Sequence, residues 1–147
     1  MEDALKLNTG ALSRHQVRVR RQYEAVSPIT VDKHAVLQIL LNLINNAKYA
    51  CTDSDKEEKI ITLRVLNHNP GRIQMQVEDN GIGISRDNLT RIFQHGFTTK
   101  KTGHGFGLHS GALTARTLGG SLTVSSDGPG FGATFTLELP CTPGGKV

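Results

Sequence analysis

Three groups of residues in this chain could do chemistry, and each stands out against its local background. The first lies in "ILLNLINNAKYA", Ile39 to Ala50. Its leucines and isoleucines suit a buried helix, but Asn42, Asn45 and Asn46 are mediocre helix formers and costly to bury unpaired. Asn42 and Asn46 are four residues apart, so a helix stacks their side chains on one face. Amide oxygens are hard ligands for Mg²⁺, an ion that takes one or two protein groups and completes its shell with water and substrate phosphates. A single asparagine would more simply cap a neighbouring loop, and the pair on one face weakens that explanation. Asn45 is skewed around the helix, and no role follows for it.

The second group is "EDNGIGI", in which an alternating run ends at Asp79. A carboxylate at a strand end can accept a hydrogen bond from an exocyclic amine, and Gly81 and Gly83 let backbone approach a flat ring. The same residues also make an ordinary turn. The third is "GHGFGL", Gly103 to Leu108, at the start of a helical pattern. Backbone amides at a helix N-terminus, aided by the helix dipole, form a phosphate site. No Gly-Lys-Ser/Thr follows, so this is not a P-loop, and glycines at 103, 105 and 107 without a βαβ unit do not make a dinucleotide fingerprint. A helix cap without a ligand would look the same.

The elements that must hold these residues follow from periodicity and turn signals. Residues 1–15 read as a connector or short helix weakened by Gly10, and 16–25 alternate as an edge strand whose Arg18, Arg20 and Gln22 form a solvated face. "SPITV" (27–31) reads as another short strand. Asp32 is a candidate N-cap for a helix through about Ala50. Residues 59–68 and 72–81 form a hairpin across "NPG", with Ile73, Met75 and Val77 on one face. A short helix capped by Ser85 covers 85–93, a mobile loop covers 94–105, and a helix over 106–118 stops at Gly119-Gly120. "SLTVSSD" and "FGATFTLELP" are two strands joined across "GPG". Strands grouped with about three helices, without regular βαβ alternation, predict an α+β two-layer sandwich. Its sheet is mixed and mostly antiparallel, with about five strands and helices on one face. The catalytic candidates sit in one domain, 16–140, ahead of a frayed tail at 141–147.

Bulk composition agrees. The chain has 147 residues, 37% hydrophobic and 20% charged, enough for one cored domain. Cys51 and Cys141 make neither a disulfide framework nor a spaced metal site, which favours a reducing compartment. A net charge of +4 suits a polyanionic ligand, with no basic-aromatic stripe to suggest nucleic acid. No apolar run approaches the ~20 residues of a membrane span, and the start is no signal peptide. A cytoplasmic location is expected, compatible with a larger, membrane-anchored parent.

In their order, "NLINNA", "DNGIGI", "FQHGFTTK", "GHGFGL" and "GATFTLELP" resemble the ATP-binding catalytic domain of sensor histidine kinases, within the superfamily that includes DNA gyrase and the heat-shock chaperone ATPases. The resemblance spans residues 15 to 140 and implies the Bergerat-type ATP-binding fold. It implies that Asn46 binds the Mg²⁺ of Mg-ATP, with Asn42 its partner one turn earlier. Asp79 then reads the adenine amine, Gly81 and Gly83 shape the pocket, and Thr134 supports the aspartate with its hydroxyl. Phe93 and Phe97 resemble aromatic anchors of an ATP lid, and Thr98, Thr99 and Lys100 its "TTK". Gly105, Phe106, Gly107 and Leu108 resemble the second glycine box near the phosphates, with His104 beside them. Two positions depart from the pattern. Tyr49 stands where many such kinases carry lysine, with Lys48 before it, and His109 stands where a small or aliphatic residue is usual.

Superfamily members that hydrolyse ATP resemble one another in carrying glutamate at the position of Asn42, as a general base. Asparagine cannot take a proton at neutral pH. The resemblance therefore implies phosphoryl transfer to a protein histidine, with an anti-sigma-type serine kinase, a hydrolase or a non-catalytic nucleotide module as alternatives. None of His15, His34, His68, His95, His104 and His109 lies in a His-Glu-x-x-x-Pro hairpin. The acceptor is expected on a separate dimerisation domain, a response regulator is the indirect partner, and the chain is expected to be monomeric.

Overall fold

The computed structural model describes residues 1–14, 16–24, 32–67, 71–93 and 106–140. Chain order runs α1 (Glu2–Arg14), β1 (Val17–Tyr23), α2 (Lys33–Thr52), β2 (Lys59–Asn67), β3 (Arg72–Asp79), α3 (Arg86–Leu89), α4 (Phe106–Thr117), β4 (Ser121–Ser125) and β5 (Ala133–Pro140). The strands form one sheet in the order β1-β2-β3-β5-β4. β1 pairs parallel to β2, and the other three pairings are antiparallel. The mixed, mostly antiparallel sheet under one layer of helices is the architecture the sequence implies.

Alternation decides which face is covered. Ile61, Leu63, Ile73, Val77, Leu137 and Leu139 are almost fully buried and point to the helices. The other face is a polar surface, with Arg64 paired to Glu78 and bonded to Gln22 at 2.8 Å, and Gln74 bonded to Glu138 at 3.2 Å. The expected solvated face of β1 belongs to it, and β1 is indeed an edge strand.

α2 is the central helix. Asp32 caps it, its carboxylate accepting from the N–H groups of His34 (3.0 Å) and Ala35 (3.2 Å), two of the donors a helix start leaves orphaned. Val36, Ile39, Leu40, Leu43, Ile44, Ala47 and Cys51 recur at helical spacing and bury one stripe against the sheet. The cap Asp53 closes it, its N–H bonding back to Tyr49 and Cys51 carbonyls.

One expectation narrows and another changes. Of the connector or short helix expected at 1–15, residues 2–14 form a helix, because Ala4, Leu5 and Leu12 bury on the core and outweigh Gly10. Its start is tied to β1 through Glu2, which pairs with Arg21 at 2.9 Å and takes the Tyr23 hydroxyl. The helix after Ser85 is only the four residues Arg86–Leu89, with Ser85 capping as expected. The "SPITV" strand, the 94–105 loop and the 141–147 tail lie outside the described residues. Among the described residues, no helix is long and apolar enough to cross a membrane.

The Asp32 cap gives the first prediction. Asp32→Ala should lower unfolding free energy by about 1 kcal/mol, and Asp32→Ser should lose only a few tenths, because a serine oxygen still accepts. Urea midpoints of the three proteins measure the difference.

Candidate functional site

The face of α2 opposite its core stripe carries Asn42, Asn45 and Asn46, all half-buried. Helical spacing aligns Asn42 with Asn46 and, seven residues on, with Tyr49. Lys48 is off this stripe: two residues beyond Asn46 is a rotation of roughly 200°. Its stem is buried and its ammonium rests over the Tyr49 ring, 4.6 Å from the centroid. The cation is therefore placed beside the stripe by an aromatic ring rather than on it by helix geometry.

Asp79 is the last residue of β3 and is 4% exposed. Its Oδ1 accepts the Gly81 N–H at 2.8 Å. Burial pushes its carboxyl up to about 6, opposed by the Gly81 and Ala133 N–H groups and raised further by Glu78. The Cys51 thiol of α2 lies in the same region, and burial, then the Asp79 charge, push it up to about 11.

Asn80 is a positioning residue that the sequence reading passed over. Its side chain accepts from the Ile60 N–H and donates to the Glu58 carbonyl, both at 2.8 Å, so it staples the end of β3 to the start of β2. The signal available was the asparagine of the Asp-Asn-Gly turn itself.

Gly81 and Gly83 are each required by the chain's own backbone. A Cβ on Gly81 would stand 2.3 Å from the Ala50 carbonyl oxygen, and the next N–H, that of Ile82, bonds that oxygen at 3.1 Å. Gly83 has φ +75°, and a Cβ there would meet the Gly128 oxygen at 2.1 Å. The close approach is to the chain's own backbone, on α2 and on the 126–132 turn. The loop after Asp79 is wedged between these two.

One assignment fails on register. Asp79 pairs with Ala133, and Thr134 pairs with Glu78. Adjacent strand residues face opposite sides, so Thr134 lies on the polar face with Thr136 and away from Asp79. The hydroxyl expected beside the carboxylate is absent at that position; β5 offers the Ala133 backbone N–H instead.

α4 brings the last group. Leu108 is buried in its first turn, and the backbones of Phe106 and Gly107 open it. His109 Nδ1 bonds the Phe93 carbonyl at 3.0 Å, and the Phe93 ring meets Phe135 edge-on at 6.4 Å. His109 thus ties α4 to the residue that precedes the 94–105 segment. Phe97, Thr98, Thr99, Lys100, His104 and Gly105 lie outside the described residues. Among the described residues, no group of three or more His, Cys, Asp or Glu side chains could hold a metal ion.

Residues 31–143 match the family described as histidine kinase-, DNA gyrase B-, and HSP90-like ATPase. The chain is 38% identical over 124 residues to the signal transduction histidine-protein kinase AtoS of Escherichia coli K12, covering 82% of this chain and 19% of that protein. It is 31% identical over 141 residues to the sensor protein FixL of Bradyrhizobium diazoefficiens, covering 95% of this chain and 27% of FixL. It therefore spans about a fifth to a quarter of the length of these relatives. In structure it is similar to the catalytic domain of histidine kinase ThkA, with TM-score 0.83 and 22% identity, over 97% of this chain and 90% of that one. Full-length ShkA in complex with AMPPNP has the same TM-score at 24% identity, over 96% of this chain and 29% of that one.

The buried carboxylate predicts an unusual pH profile. Asp79 titrates near 6 when folded and near 4 when unfolded, so between those values the folded state keeps a proton the unfolded chain has released. Its contribution to stability is present below pH 4 and lost as pH rises through 6, by roughly 3 kcal/mol. Asp79→Asn should therefore raise stability at pH 7.5 and flatten the profile between pH 4 and 6, measured by urea unfolding across pH.

Proposed function

This chain belongs to the histidine kinase-, DNA gyrase B-, and HSP90-like ATPase family, and we propose that it is the ATP-binding catalytic domain of a two-component sensor histidine kinase. It binds Mg-ATP and passes the γ-phosphate to a histidine on a dimerisation domain outside these residues, from which a response regulator draws it. The working location is the cytoplasm, and the chain acts as a monomeric module of its parent.

Asp79 supports adenine recognition. A carboxylate has about four acceptor sites, and two backbone N–H groups use only part of that capacity. An exocyclic amine is a donor that this nearly buried oxygen pair would favour. The asparagine stripe fits the phosphate end. Mg²⁺, when bound, would be held by Asn46 with Asn42 one turn earlier, and would neutralise phosphate charge. Thr98, Thr99 and Lys100 are assigned to an ATP lid anchored by Phe97, and His104, Gly105, Phe106, Gly107 and Leu108 to the second glycine box near the phosphates.

The observation that carries kinase over hydrolase is the composition of the α2 stripe. Asn42, Asn45 and Asn46 are amides, and none can take a proton from water at neutral pH. Bound ATP then waits for a nucleophile brought by a partner. Catalysis rests on placing that nucleophile in line and balancing charge.

Calorimetry with ATP and ADP, with and without Mg²⁺, tests this. Asp79→Asn should weaken binding about tenfold or more even though it stabilises the fold, and Asn46→Ala should remove most of the Mg²⁺ dependence. Isolated protein should hydrolyse ATP very slowly and phosphorylate a supplied histidine-hairpin domain. Intact binding in Asp79→Asn, or brisk hydrolysis lost in Asn42→Ala, would sink the proposal.

A further inference from the structure

Ser126 follows β4 and lies on no motif, yet its hydroxyl is fully used. Its Oγ donates to the Gly132 carbonyl at 2.6 Å and accepts from the N–H groups of Ile84 (3.1 Å) and Gly128 (3.2 Å). The Gly128 carbonyl at 3.5 Å is a weaker alternative acceptor. A serine hydroxyl has one donor and two lone pairs, and all three are engaged. These partners belong to two segments, the loop after β3 and the 126–132 turn. The same segments are bonded directly, Gly130 N–H to the Ile82 carbonyl at 2.7 Å and Gly132 N–H to the Gly81 carbonyl at 3.2 Å. Gly81 in turn donates its N–H to Asp79.

We propose that Ser126 is a positioning residue for nucleotide recognition, acting through Gly132 and Gly81 to aim the Gly81 N–H at the Asp79 carboxylate. The inference rests on the reading of Asp79 as the adenine-binding group. No regular ladder makes these bonds: the paired register of β4 and β5 ends at Ser125 with Thr134, so the turn that reaches Gly81 is shaped by the serine. Losing the hydroxyl leaves two N–H groups and a carbonyl to find water at a half-buried site, which loosens the loop without removing a core residue.

The effect has a signature that a purely structural role lacks. Titratable and charged groups that act on Asp79 are Cys51 from α2, Lys56 from the α2–β2 connection and, from the opposite face of its own strand, Glu78; β2 and β5 present Ile61 and Ala133. A change at Ser126 alters none of their charges. A weaker Gly81 N–H contact moves the carboxylate's protonation upward, and with it the pH midpoint of nucleotide binding.

The experiment titrates ADP into the full chain between pH 5 and 8. Ser126→Ala should weaken Kd about tenfold at pH 7.5 and move the binding midpoint to higher pH, and Ser126→Thr, which keeps the hydroxyl, should restore both. Ser126→Cys, a weak donor and acceptor, replaces Ser126→Ala with the same readouts if that protein does not fold. An unchanged Kd and midpoint in Ser126→Ala or Ser126→Cys, whatever the loss in Tm, overturns the inference alone, provided Asp79→Asn has lost binding. Retained ADP binding in Asp79→Asn overturns the adenine reading and this inference together.

Discussion

A carboxylate held almost out of water at the end of β3 is the constraint on which the site depends. Asp79 could be solvated cheaply if the strand ended one residue later or if the next loop swung outward. Neither happens, because the loop after it is trapped. Asn80 bonds back to β2, Gly81 lies against the Ala50 carbonyl, and the 126–132 turn closes over Gly81 and Ile82. Each contact is between backbone groups or short polar side chains, so the loop has little freedom to relax around a buried charge. The molecule thereby keeps a group in a state its own fold disfavours near neutral pH, as expected of a binding site and not of a core.

α2 resolves the opposite problem. One helix must present amides on one face and a dry stripe on the other, and its 3.6-residue period separates the two. The core residues Leu43, Ile44 and Ala47 fix the rotation of the helix about its axis, and that rotation sets where Asn42 and Asn46 point. The same rotation takes Lys48 away from the asparagines and leaves Tyr49 in line with them. A lysine at position 49 would have projected its charge from the stripe. Here the charge arrives from the flank and is steadied on an aromatic face, a contact worth roughly 0.5–2 kcal/mol depending on desolvation.

The sequence made α2 legible because cap, period and stop agree over twenty residues. The β2–β3 hairpin, α4 and the β4–β5 pair were equally legible, since turn residues bound each of them. α1 was underestimated: Leu5 and Leu12 alone imply little, and only tertiary contact with the sheet and α2 shows why Gly10 is tolerated. Thr134 shows a different limit. Its residue type suits the role, but a strand's two faces differ by a single step, and the register of β5 against β3 is a property of the folded sheet. The roles of Gly81, Asn80 and Ser126 were hidden for a related reason. Each acts on backbone brought near by segments distant in the chain, and no local pattern records such a meeting.

These placements bear on what the α2 stripe can do. On the proposed reading, a stripe of amides facing phosphate would offer attacking water no proton acceptor, and a bound nucleotide would react only as fast as another nucleophile is delivered. A domain of this kind gains from rigid recognition at the base end, because binding must outlast the wait for a partner. In that reading the wedged loop after Asp79 would provide that rigidity, and Asn42 and Asn46 would leave the phosphate end without a base of their own. Adenine recognition and slow hydrolysis, as proposed, would thus be set by different elements, the β3 loop and α2, which touch where Ala50 meets Gly81 and Ile82. A change at that contact would tilt both ends of the site together.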